Sequence, residues 1–312
     1  MTDTHPAPLH REIPGRERRL VCLGFGYSAA ALAARLREGG TEIIGTSRSE
    51  EKADDLCRRG IRGLVFDAER HSATLSDAIR SATHLLVSAA PDRSGDPFLA
   101  AHERDVAHAD RLQWIGYLST VGVYGDHGGA WIDERAPCRP SGDRGEWRLE
   151  AEARWSALGH RLDVPVGIFR LAGIYGPGRN QLQGLADGTA KRVVKAGQVF
   201  NRIHVEDIAA TLEAAIDRPA SRIYNVADDE PAPPQDVVAF AAALMGVEAP
   251  PEVPFEAAAL SPMARSFYGD VKRVSNRRIR EELGVELAYP TYREGLTALW
   301  RSGLWRRRDG GD

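Results

Sequence analysis

Short apolar runs alternate with longer amphipathic segments along the first two-thirds of the chain. Leu20–Leu23 is a continuous apolar run, and the Ala/Leu-rich stretch behind it stops at Gly39-Gly40. The same alternation predicts strands at Glu42–Thr46, Leu64–Phe66, Leu85–Ala89, Trp114–Ser119, Val166–Leu171 and Ile223–Val226. Helices are expected at Glu50–Arg59, Ser72–Ala82, Phe98–Ala109, Leu149–Leu158 and Ile208–Ile216. Strands of this length separated by helical segments of about 10–15 residues build βαβ units on a parallel sheet. The fold class is therefore α/β, a doubly wound parallel sheet.

The rhythm breaks after about residue 172, where Gly173–Asn180 is rich in Gly and Pro. PAPP (231–234) and PPEVP (250–254) are further breaks, followed by helical patterns at Gln235–Met245, Asn276–Leu283 and Tyr292–Leu304. A smaller C-terminal substrate lobe fits this pattern. The expected organisation is a tail over 1–15, a nucleotide-binding domain over 16–172 plus about 201–228, and the small lobe over about 173–200 plus 229–312. Residues 1–15, with Pro6, Pro8 and Pro14, read as a mobile tail, and Trp305–Arg308 as solvated basic charge at a helix end.

Composition narrows the function classes. The 312 residues carry 41 Lys plus Arg against 44 Asp plus Glu, a formal net charge of −3, which disfavours a dedicated nucleic-acid binder. Three cysteines, Cys22, Cys57 and Cys138, have no metal-ligand spacing and fit a reducing compartment. No metal is expected. Met1–Arg19 lacks an apolar core for a secretory signal, and no apolar run approaches the ~18 residues a membrane span requires. The expected setting is cytoplasmic, with a small-molecule substrate, no nucleic acid and no membrane; a homodimer is left open.

Three regions carry chemistry. Gly24-Phe25-Gly26-Tyr27-Ser28-Ala29 follows the first strand and opens the first helix. The first Gly permits the tight turn, the second leaves room for a pyrophosphate, and a small third residue lets helix and strand pack closely. A helix N-terminus placed there meets phosphates with free N–H groups. The second strand ends in Thr46-Ser47-Arg48-Ser49. NAD sites usually hold an acid at that point, whereas small polar residues and an Arg suit the 2′-phosphate of NADP, so NADP is expected over NAD. Asp67 could accept the adenine amino group, and Ser88-Ala89-Ala90-Pro91 would run beside the adenosine ribose.

The third region is Tyr117–Asp126 (YLSTVGVYGD), joined by RGEWRLEAE (144–152), FRLAGIYGPGRN (169–180), NRIHVED (201–207) and YNVA (224–227). With these blocks in this order, the chain resembles an extended short-chain dehydrogenase/reductase of the NAD-dependent epimerase/dehydratase type, over roughly residues 18–300. The resemblance implies a Rossmann lobe, a substrate lobe and hydride or proton chemistry beside a nicotinamide. It places Thr120 where the family polarises a carbonyl or hydroxyl. The family's Tyr-x-x-x-Lys pair falls on Arg144 and Arg148. Arginine stays protonated in proteins, so Arg144 cannot act as an ordinary base, while Arg148 can still bind the nicotinamide ribose. Leu23 also stands where the family has an extra Gly.

Tyr124 and Tyr175 are the candidate replacements for the missing acid/base, although the family uses those positions mainly for structure. His127 and His204 read as loop residues. Arg179, Asn201 and Arg202 are candidate substrate contacts. The expected function is an NADP-linked oxidoreductase or epimerase acting on a small hydroxy, oxo or nucleotide-sugar compound. The alternative is a non-catalytic dinucleotide-binding redox sensor or regulatory protein.

Overall fold

The computed structural model describes residues 18–68 and 71–306. The tail expected over 1–15, and Arg307 and Arg308 of the basic end, lie outside the described residues. In chain order the nucleotide-binding half runs β1 (Arg19–Leu23), α1 (Tyr27–Glu38), β2 (Glu42–Ser47), α2 (Glu50–Arg58), β3 (Arg62–Val65), α3 (Ala73–Arg80), β4 (His84–Val87), α4 (Pro97–Ala107), β5 (Trp114–Thr120) and a 3₁₀ turn (Val121–Tyr124). Then come β6 (Trp131–Ile132), α5 (Asp143–Leu162), β7 (Val166–Leu171), β8 (Gly173–Tyr175), α6 (Gln181–Ala186), β9 (Arg192–Val194), β10 (Arg202–His204), α7 (Val205–Asp217) and β11 (Arg222–Val226). The chain ends with α8 (Pro234–Met245), β12 (Glu252–Pro254), α9 (Pro262–Phe267), β13 (Arg273–Val274), α10 (Arg277–Leu283) and α11 (Tyr292–Ser302).

Seven strands make one sheet in the order β11-β7-β5-β4-β1-β2-β3, with every pairing parallel. A parallel sheet is covered on both faces, so its strands read as unbroken apolar runs. Within β1, Leu20 and Cys22 face one core with Leu32, Leu36, Ile208 and Leu212. Val21 and Leu23 face the other, with Leu75, Ile79, Phe98, Val106 and Trp155. From β1 the chain builds outward to β2 and β3, then returns to place β4 on the opposite side. The carboxyl ends of β1 and β4 thus flank a topological switch point, where ligands of open α/β sheets bind.

The second lobe has its own core, with Leu182, Val237, Ala241, Leu296 and Leu299 from α6, α8 and α11. Two-stranded parallel ribbons, β10 with β8 and β13 with β6, join it to the rest, and a third, β12 with β9, lies within it. These ribbons are too short to register as patterned segments. Helices α6 and α9 were not expected, and α5 starts at Asp143, six residues before the expected Leu149. Its first turns (DRGEWR) carry no apolar period. The start is set instead by Gly142 at the N-cap and by Asp143 and Glu146 near the positive helix end.

Candidate functional site

The glycine turn sits at the switch point and is pinned from both neighbouring strands. Gly24 has φ +91°, a conformation open to Gly, and a Cβ there would lie 2.8 Å from the Ala89 nitrogen. The Gly24 N–H donates to Thr46 Oγ1 at 2.7 Å, and the Phe25 N–H to the Thr46 carbonyl at 2.8 Å. Ser88 and Ala89 donate their N–H groups to the Leu23 carbonyl. The Phe25 ring lies on Gly45, leaving no space there for a Cβ.

Gly26 is the N-cap of α1. No side chain caps this helix, and its first turn holds no acid. A Cβ on Gly26 would meet only Ser88 Oγ, 3.9 Å away. Uncapped amides, a positive helix end and open space at Gly26 suit a pyrophosphate, so these residues fit a dinucleotide. Ser28, by contrast, is buried in the first turn.

At the end of β2, Ser47 is half-buried and Arg48 exposed. Arg48 has no hydrogen bond or ion pair among the described residues. Ser49 caps α2, and Glu50 and Glu51 occupy that helix's first turn. Asp67 and Ala90 are exposed just beyond β3 and β4, with Ala89 half-buried against Gly24.

Thr120 ends β5. Its Oγ1 accepts the Gly122 N–H at 3.1 Å, which leaves its own proton available to another acceptor. Arg148 reaches the same strand end. Its Nη1 donates to the Leu118 carbonyl at 2.6 Å, and its guanidinium stands 5.7 Å from the centroid of the Tyr117 ring. Arg144 is exposed on the first turn of α5. Its neighbour Gly145 brings that turn against the 3₁₀ segment, because a Cβ there would lie 3.6 Å from the Gly122 carbonyl oxygen.

Four expected site residues are instead committed to the interior, which corrects the reading of them as catalytic or substrate groups. The Tyr124 hydroxyl donates to Asn225 Oδ1 at 2.7 Å. Burial, partly offset by Arg170, pushes its pKa up to about 12. The Tyr175 hydroxyl donates to the Thr291 carbonyl at 3.3 Å, and burial raises its pKa further still. Asn201 ties the backbone of Lys272 and Val274, and Arg202 Nη1 donates to the Phe200 and Ala232 carbonyls. All four are buried, and their polar groups are taken up by partners within the fold. Of the loop histidines, His127 Nε2 pairs with the Pro137 carbonyl, and His204 is buried as the N-cap of α7.

Glu152 and Arg170 also belong to this region, although the local pattern does not single them out. Glu152 accepts from Arg170 Nη2 at 2.7 Å and from the Ser119 hydroxyl, and the Arg170 guanidinium stands 4.7 Å from the Tyr124 ring centroid. An Arg inside the apolar strand VGIFRL was the available signal, since such a charge is buried only with a partner.

His71, His102 and Asp105 converge closely enough to suggest metal ligands. Asp105 accepts from Arg80 through two nitrogens and from Ser76, and pairs with both histidines. The Ser72 N–H points at His102 Nε2, so the ring proton is assigned to Nδ1, facing Asp105. The ligating atoms are spent on one another, and the cluster ties α3 to α4.

A glycine turn at the switch point of a 3-2-1-4-5 parallel sheet, with a second lobe over its carboxyl edge, defines a Rossmann-type nucleotide fold of the extended kind. The chain belongs to the NAD dependent epimerase/dehydratase family, whose sequence model matches residues 21–227. Protein YeeZ of Escherichia coli (strain K12) is 29% identical over 284 residues, covering 88% of this chain and 97% of that protein. A 3-diazoavenalumate denitrifying reductase from Streptomyces sp is 27% identical over 311 residues, covering 89% and 99%. Among solved structures, a functionally unknown conserved protein from Silicibacter pomeroyi DSS is 49% identical with a TM-score of 0.83, covering 92% of this chain and 99% of the other. UDP-glucuronic acid 4-epimerase from Bacillus cereus in complex with NAD shares the fold at a TM-score of 0.72 and 15% identity, covering 92% and 99%. No helix among the described residues is long and apolar enough to cross a membrane.

Proposed function

We propose that this protein is an NADP-linked oxidoreductase or epimerase acting on a small hydroxy or oxo compound, nucleotide sugars included, without the Tyr-x-x-x-Lys base of its family. Arg48 carries the NADP reading. It is exposed at the end of β2 and unpaired among the described residues, beside a turn that fits a pyrophosphate, where an NAD site would place an acid. When bound, the cofactor would supply the hydride. Thr120 would donate a hydrogen bond to the acceptor oxygen, with solvent water giving the proton that completes the alcohol, and Arg148, anchored on Leu118, would turn its remaining N–H groups to the ribose. That a relative named as a reductase matches along nearly its whole length supports a reductive use of the cofactor.

Arg144, at the position of the family's base, favours one second reading: a dinucleotide-binding sensor or regulatory protein without turnover. NADPH oxidation with a panel of small aldehydes, ketones and oxo-sugars separates the two. The first reading expects turnover that falls in Thr120→Val with NADPH affinity unchanged. NADPH binding without turnover on any acceptor would leave the second.

A further inference from the structure

The turn that follows β8 presents a charge that has no partner among the described residues. Gly176 and Arg179 exchange backbone hydrogen bonds at 3.0 and 3.1 Å, closing a tight turn through Pro177 and Gly178. Gly178 takes φ +68°, as the third position of a Pro-Gly turn requires. The turn is fixed from two sides. Asn180 Nδ2 donates to the Gly176 and Trp305 carbonyls, and the Gly178 N–H to the Trp305 carbonyl. Opposite, the Tyr27 hydroxyl donates to the Pro177 carbonyl at 3.0 Å. Tyr27 is the first residue of α1, so the turn is tied to the side chain of the residue that opens that helix.

Arg179 is exposed at the end of this rigid turn, and its side chain has no hydrogen bond or ion pair among the described residues. Its charge bears on the Tyr27 phenol, whose pKa burial nevertheless pushes up to about 12. Glu206 bears on the same phenol with opposite sign, but its carboxylate is engaged by the Tyr289 hydroxyl at 3.0 Å. A further donor on this wall lacks an acceptor. His204 is buried, its Nδ1 accepts the Glu206 N–H, and its Nε2 has no partner. A Cβ on Gly176 would lie 2.5 Å from the Tyr27 hydroxyl and 3.5 Å from that nitrogen.

We infer that Arg179 binds the cofactor's pyrophosphate, which makes it a cofactor residue and not the substrate contact its sequence position suggests. The inference rests on the dinucleotide reading of the glycine turn. A guanidinium forks onto phosphate oxygens, and the turn that carries this one is tied through the Tyr27 hydroxyl to a helix whose N-terminal amides are uncapped. Arg48 and Arg179 then divide the work: Arg48 distinguishes NADP from NAD, and Arg179 holds the part the two cofactors share.

The test is calorimetric titration of NADPH and NADH into the wild type, Arg179→Ala, Arg179→Lys and Arg48→Ala. Arg179→Ala should weaken both cofactors by the same factor, about ten- to a hundredfold, leaving their ratio unchanged. Arg179→Lys should recover part of the loss, while Arg48→Ala should change the ratio. Thermal midpoints should be equal, because the Arg179 side chain makes no hydrogen bond or ion pair among the described residues. If the wild type binds and Arg179→Ala binds both cofactors equally well, the inference is overturned while the dinucleotide reading stands. A change only in a substrate KM would return Arg179 to the substrate. A wild type that binds neither cofactor would overturn both.

Discussion

Glu152 and Arg170 form a buried ion pair beneath the carboxyl ends of β5 and β7, their side chains 5% and 4% exposed. Two contacts join them, Nη2–Oε2 at 2.7 Å and Nε–Oε1 at 3.2 Å. Through Ser119, Tyr124 and Asn225 the pair links β5, α5, β7 and β11 into one hydrogen-bonded frame. Thr120, the candidate substrate-polarising residue, directly follows Ser119. The frame holds the strand end on which the proposed chemistry depends.

Removing one partner of such a pair strands a buried charge. Glu152→Ala should therefore destabilise the fold by about 3–5 kcal/mol in urea titration. Replacing both residues with Met should cost less than the single change, because no charge is then left unpaired. A loss below about 1 kcal/mol for Glu152→Ala would contradict the buried frame.

Gly26→Val places a branched side chain into the open space above α1, near only Ser88 Oγ. The melting temperature should move little, while NADPH binding should fall below detection. A variant that keeps wild-type affinity would mean that this face of the turn does not meet the phosphates.

Asp105 gives the protein a specific acid sensitivity. Burial alone would raise its pKa, but hydrogen bonds with His102, Ser76, Arg80 and His71 outweigh it and bring the carboxyl from the ordinary 3.8 down to about 2. A carboxyl with a depressed folded-state pKa stabilises the fold above its unfolded pKa and loses that contribution as pH falls through the folded value. The contribution is therefore full above about pH 4 and gone below about pH 2, and amounts to about 2 kcal/mol. Denaturant titrations across that range should show Asp105→Asn with a shallower acid decline than the wild type. Parallel declines would count against the Asp105 hub.

The parallel sheet was legible because buried strands such as LVCL and LLV are unbroken apolar runs and the helices between them are amphipathic. The glycine turn was legible because only two kinds of backbone demand, positive φ at Gly24 and open space at Gly26, place Gly there. At the end of β2 the sequence shows an Arg where an acid is usual, and the structure leaves it exposed. The local pattern did not reveal which polar residues turn inward. Asn201 and Arg202 look like loop polar groups in NRIHVED, yet the β8–β10 ribbon buries them, and that pairing joins segments almost thirty residues apart. Tyr124 and Asn225 meet across an even longer stretch of chain. Arg179 reads the same in sequence as any exposed Arg; only the docking of its turn on Tyr27 gives it a place.

The arginines at the base positions lead to a gain-of-function prediction. Arg144→Tyr combined with Arg148→Lys restores the family's pair on the first turns of α5, beside the Thr120 turn. If the site geometry is otherwise intact, activity on ordinary sugar-nucleotide or hydroxysteroid-type substrates of the family should rise, with a positioned acid/base contributing about 10²–10⁴-fold. Unchanged turnover with NADPH affinity preserved would show that Arg144 does not occupy the base position in space.

The central claim is a dinucleotide site tuned to NADP by Arg48, and calorimetry with the two reduced cofactors tests it most directly. The wild type should bind NADPH at least about ten times more tightly than NADH, the contribution of a charge-assisted Arg–phosphate contact, and Arg48→Ala should erase most of that gap. Equal affinities, or NADH as the tighter ligand, would contradict the account.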